Sequence, residues 1–139
     1  MKFHKLYLLT LMLIFTISSY AQVAVITNKS VTENSISSNK LSEIYCLKAK
    51  TWSNGQAIVP LTFKSDDAVS DKFFSSMGKS YSDMKKLWMK LQLTGEGMAP
   101  EAVSSNEEII NKVASTPGSI GFIDAKKVTD KVKVLLTIN

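Results

Sequence analysis

The chain has 139 residues with 17 basic residues, 12 acidic residues and one histidine. Every basic residue is Lys, the histidine is His4, and the cysteine is Cys46 alone. Without His4, whose segment reads as cleavable, there is no imidazole for a Ser-His-Asp or Cys-His triad or for a His-ligated metal. With no Arg there is no planar fork for bidentate anion binding, and one Cys makes no internal disulfide or multi-Cys metal site.

The N-terminus reads as an export signal. Lys2, His4 and Lys5 form a basic start, and Leu6 to Ile17 is an apolar stretch. Ser19-Tyr20-Ala21 supplies small residues for a peptidase, so cleavage is expected after Ala21. The apolar stretch is shorter than the roughly 20 residues of a membrane span, so a retained anchor is the lesser alternative. Removing 21 of 139 residues leaves 118, with 15 Lys against 12 acidic residues, a net charge of +3. The expected location is periplasmic or secreted. No nucleic-acid partner is expected of scattered lysines on an exported chain, and the remaining chain carries no membrane span.

Residues 22–139 read as one domain, large enough for a core without disulfides. Cys46 is expected to pack as a small hydrophobe. Val23 to Thr27 predicts a buried strand. Asn28 to Asn39 reads as a polar loop, and Asn28-Lys29-Ser30 matches an N-glycosylation acceptor, a pattern common by chance. A helix should begin near Leu41 with Ser38 or Asn39 as its cap and Leu41, Ile44 and Tyr45 inward. Trp52-Ser53-Asn54-Gly55 is a turn.

Ile58 to Phe63 predicts the next strand, with Pro60 pushed toward a sheet edge or bulge. Ser65-Asp66-Asp67 should open a helix, capped by Ser65, with Val69, Phe73 and Met77 inward and Gly78 at its end. A longer helix runs from Tyr81 to Leu93, with Lys85, Lys86 and Lys90 on a solvated face. Thr94 to Pro100 is a loop. Ser105-x-x-Glu108 is a capping box opening a helix through Ile109, Ile110 and Val113, stopped by Thr116-Pro117-Gly118. Ser119 to Ile123 is a short strand, and alternating Val132, Val134, Leu136 and Ile138 predict a C-terminal strand with one buried face. Interleaved strands and helices place the chain in the α/β class, with a sheet of about four strands and flanking helices.

Catalytic patterns are weak. Gly78-Lys79-Ser80 lacks the first glycine of a phosphate loop, because that position is Phe73. Ser76-x-x-Lys79 and Ser37-x-x-Lys40 match the serine–lysine hydrolase spacing without its Ser-Asp-Asn and Lys-Thr-Gly companions. Asp66-Asp67 and Glu107-Glu108 open helices, where carboxylates stabilise the dipole. Trp52 and Trp88 could stack on a sugar, though Trp88 lies in a helical stripe. No enzyme, cofactor, metal site or catalytic residue is therefore expected.

An ordered set of segments resembles one family. Val25 to Asn28 precedes Leu41-Ser42-Glu43-Ile44-Tyr45, then Trp52-Ser53-Asn54-Gly55, Ile58-Val59-Pro60, Lys64-Ser65-Asp66 and Phe73-Phe74. Ser105 to Val113 and Thr116-Pro117-Gly118-Ser119-Ile120-Gly121-Phe122 close the set. Together they resemble the substrate-binding proteins of phosphate ABC transporters, whose late "pGAIGY" segment is matched by Pro117 to Phe122. The resemblance implies a fold of the periplasmic-binding-protein type, two α/β lobes around an anion, of which this chain has length for about one lobe. It implies a non-catalytic binding module. Lys64 stands at the family's Arg, and Ala68, Val69 and Ser70 stand at its Ser-Gly-Thr run. The implied ligand-binding residues are Lys64, Ser65 and Ser70, with a small anion such as phosphate as the partner. The alternative is an envelope accessory or protein-interaction domain without the anion site, with an envelope protein or a second copy as partner.

Overall fold

The computed structural model describes residues 21–139. The expected signal segment, but for Ala21, lies outside the described residues. The described chain is a mixed α/β fold. Its elements in order are β1 (Val23–Thr27), α1 (Ser38–Tyr45), β2 (Val59–Phe63), α2 (Ala68–Ser75), α3 (Tyr81–Leu93), β3 (Glu101–Val103), α4 (Asn106–Ser115), β4 (Ser119–Asp124) and β5 (Lys133–Ile138). A single 3-10 turn, Ala125–Lys127, links β4 to the segment before β5.

The sheet has five strands in the order β3-β2-β4-β1-β5, one more than the sequence suggests. The extra one, β3, is three residues long, too short to carry a period-two signal. β2 runs parallel to β3 and β4, whereas β1 runs antiparallel to β4 and β5. Both faces are covered. Gly121 of β4 lies against Ile109 and Val113 of α4. The next residue, Phe122, points the other way and stacks on Phe73 of α2 with centroids 3.8 Å apart. Double coverage explains why all of β1 and nearly all of β4 is buried rather than alternating.

Tyr45, Phe73, Phe74 and Phe122 form the centre of the core, all fully buried and in edge or stacked contact. The Tyr45 hydroxyl donates to the Leu61 carbonyl at 2.8 Å, joining α1 to β2. Burial pushes its pKa well up, so it stays a neutral donor. Trp52 and Trp88 are also core residues. Their indole N–H groups donate to the carbonyls of Gly118 at 2.9 Å and Tyr45 at 2.7 Å, so neither is a sugar platform.

Several local expectations shift. The cap of α1 is Ser37, one residue before Ser38, and its hydroxyl accepts from Lys40 N. That geometry accounts for Ser37-x-x-Lys40, whose serine binds a backbone amide. Ser76 Oγ of the second such pair donates to the Phe73 carbonyl at 2.7 Å. Asn28 is buried; its amide donates to the carbonyls of Val113 and Ala114 at the end of α4 and is not presented for glycosylation. Cys46 is half-buried against the core.

Pro60 sits inside the sheet, yet its expectation has a physical counterpart. Val59 N donates to the carbonyl of Gly118, just before β4, so the next amide would point toward β3. Pairing with β3 starts only at Leu61, and Pro60 therefore leaves no ladder bond unmade. β5 departs further from expectation. The register slips between Val25 and Ile26, which pair with Leu136 and Val134, leaving Leu135 as an extra residue. This bulge turns Leu135 inward at 5% exposure and leaves Val134 at 37%.

Candidate functional site

The predicted site lies at the carboxyl end of β2, where open α/β sheets place their ligands. Lys64 follows the last strand residue. Its backbone N–H donates to Val103 O at 2.9 Å, which holds the turn against β3. Its side chain is exposed, and so are those of Ser65, Asp66 and Asp67.

The helix-opening contacts differ from expectation. Asp67, and not Ser65, caps α2: its carboxylate accepts from Ser70 N at 2.9 Å. Asp is as good a cap as Ser and stands at the position that reaches the third amide of the helix. Ser70 is fully buried, and its hydroxyl donates to Ser65 O at 3.2 Å. Of the three predicted ligand residues, Lys64 and Ser65 are exposed at the turn. Ser70 is turned inward with both its backbone N–H and its hydroxyl engaged within the chain.

Two lysines join this place that sequence reading assigns to a solvated face. Lys85 and Lys86, in the second turn of α3, line a shallow depression with Lys64, Asp66, Tyr81, Ser82 and Met89. Tyr81 is the pivot. Its hydroxyl lies 2.8 Å from Phe63 O and 3.0 Å from Lys64 O, so α3 begins against the end of β2. Lys85 Nζ lies 5.4 Å above the Tyr81 ring, a weak cation–π contact. The only sequence signal for this convergence is the four-residue spacing of Tyr81 and Lys85, which places them on one helix face.

The electrostatics are mixed. Burial, then the carboxylates of Asp66 and Asp67, push the Tyr81 hydroxyl pKa up. The same negative field opposes a dianion at the N-terminus of α2. The α4 N-terminus is likewise filled from within: Glu108 N donates to Ser105 Oγ, and the Glu108 carboxylate accepts from Ser104 N. Among the described residues, no three His, Cys, Asp or Glu side chains are grouped to hold a metal ion.

No protein-family model matches the sequence, and no curated protein matches it. Solved structures do. The chain is similar to an ABC-type phosphate transport receptor from Vibrio cholerae, at 20% identity and TM-score 0.65, over 84% of this chain and 46% of that one. It is similar to a putative phosphate ABC transporter substrate-binding protein with bound phosphate from Clostridium perfringens, at 18% identity and TM-score 0.68, over 84% and 45%. PstS from Borrelia burgdorferi matches at 21% identity and TM-score 0.58, over 83% and 47%. The fold is thus that of one lobe of the phosphate-type substrate-binding proteins. The chain spans less than half the length of these structures.

Proposed function

We propose that this chain is an exported, non-enzymatic binding module built on a single substrate-binding-protein lobe. It works by contact with another envelope polypeptide and does not hold free phosphate by itself. Export is supported by the basic and apolar start at Lys2 to Ile17. The observation that carries the reading is the closed turn: the Asp67 carboxylate and the Ser65 carbonyl occupy the Ser70 donors that an anion would take. A helix end that already binds its own carboxylate has little left for a dianion.

Calorimetry on the purified chain tests this. Phosphate at millimolar concentration should produce no heat. Saturable heat that Lys64→Ala removes would overturn the reading and establish the second one, phosphate held by Lys64, Ser65 and Ser70. That second reading is favoured by one observation, the convergence of Lys64, Lys85 and Lys86 on one depression. The partner is either a second copy or a chain of different sequence. Sedimentation of the purified chain separates them, since a monomer removes the first.

A further inference from the structure

Solvation accounts for Lys85, Lys86 and Lys90 on the outer face of α3, but not for the apolar side chains among them. The inner face of the helix is complete without these: Tyr81, Met84 and Trp88 are buried. On the outer face Met89 is 65% exposed and Leu93 is 82% exposed. Met98, in the loop that follows, is also 82% exposed. Among the described residues these are the three most exposed large apolar side chains. They lie together: Met89 and Leu93 line an apolar slot with Ala99 and Pro100, and Met98 directly precedes that pair.

Positive charge surrounds this patch. Positions 85, 89 and 93 repeat every four residues, and 86 and 90 form the next row, so the apolar side chains have lysines beside them. Asp83 is the one carboxylate of α3 and sits in its first turn. Glu96, just beyond the helix, lines a different hollow with Lys48 and Lys79. Lys64 adds a further positive charge, offset by Asp66, in the depression that Lys85, Lys86 and Met89 also line. Among the described residues the ion pair is Lys112 with Glu101, so no lysine of this patch has a carboxylate within 4.0 Å. The occupant that complements such a face is anionic and accepts apolar side chains. Single side chains standing out between lysines offer a folded partner little surface to match, whereas a fluid interface takes them without shape complementarity.

We propose that the outer face of α3 docks on an anionic phospholipid surface. Met89, Leu93 and Met98 enter the boundary between headgroups and acyl chains, and Lys85, Lys86 and Lys90 meet the lipid phosphates. With so few apolar anchors the contact is reversible and depends on salt. The outer face of α3 does not include the closed turn at Asp67, so failure here leaves the reading of that turn unchanged.

The test sediments the purified chain with vesicles of equal parts phosphatidylglycerol and phosphatidylcholine, and with vesicles of phosphatidylcholine alone. The mixed vesicles should carry down more of the chain, and about 0.5 M salt should release that excess. Lys85→Ala with Lys86→Ala should weaken binding to the mixed vesicles about 30-fold, roughly fivefold for each charge. Leu93→Ser should weaken it about tenfold. Lys126→Ala with Lys127→Ala, in the turn after β4, should bind within about twofold of the parent chain. All of these side chains are exposed, which spares the fold, and every comparison keeps the segment Lys2 to Ile17 the same. The proposal is overturned if the two kinds of vesicle bind alike, if Lys126 and Lys127 weigh as much as Lys85 and Lys86, or if Leu93→Ser changes nothing. It is also overturned if inorganic phosphate at matched ionic strength displaces the chain, which would make the depression a site for free phosphate. Two further results overturn it: polyglutamate binding the chain more tightly than the mixed vesicles do, or a dimer in solution that Leu93→Ser turns into a monomer.

Discussion

Asp67 holds the first turn of α2 and fills the place that an anion would occupy, and the two roles separate by substitution. Asp67→Asn keeps a cap of similar strength and removes the charge. Asp67→Ala removes both. Thermal unfolding should show Asp67→Ala destabilised by about 1 kcal/mol and Asp67→Asn nearly unchanged. Equal loss in the two variants would mean that the charge on the helix dipole, and not the Ser70 hydrogen bond, holds the turn. The sequence puts the cap two residues too early because Ser65, Asp66 and Asp67 are all acceptable caps. Only the path of the chain out of β2 decides which one reaches Ser70 N. Asn28 teaches the same point, since its glycosylation pattern says nothing of the two α4 carbonyls that bury its amide.

Among the elements, helices were legible where a stripe and a cap coincide. The stripe Leu41, Ile44, Tyr45 and the box Ser105 to Glu108 both lie where the sequence places them. β5 shows where periodicity misleads. Its alternation predicts Val134 inside, but the one-residue bulge shifts the parity and brings Leu135 in instead. A bulge leaves no mark in a run of Val and Leu, so the face of this strand had to come from its pairing with β1. Denaturant unfolding should therefore find Leu135→Ala costing about 2–5 kcal/mol and Val134→Thr about 0.5 kcal/mol or less. The reverse order would place the bulge elsewhere.

For the molecule as a whole, the residues that carry the family likeness are builders of the fold. Gly118 has φ +77°, and a Cβ there would come within 2.2 Å of Ala57 O. Its carbonyl also receives the Trp52 indole and the Val59 amide. Gly121 lets α4 approach the sheet. The segment from Pro117 to Phe122 thus reports a way of packing one lobe, which is why the fold was readable in the sequence. The site was less so, because Lys85 and Lys86 lie far along the chain from Lys64 and meet it only in space.

The placement of β1 bears on when this chain can become a protein at all. The first strand of the domain is flanked by the last two, and Val23 pairs with Ile138, the penultimate residue. Both of its partners lie far away in sequence, and such long-range pairing slows folding. Deleting residues 130–139 would strip one side of β1 and expose an apolar edge. Such a truncated chain should aggregate and lose its single cooperative unfolding transition; a soluble, cooperative product would show that β5 is dispensable. Until residues 119–138 have been made, β1 has no partner in the sheet. A domain whose first strand waits for its last two closes its sheet late.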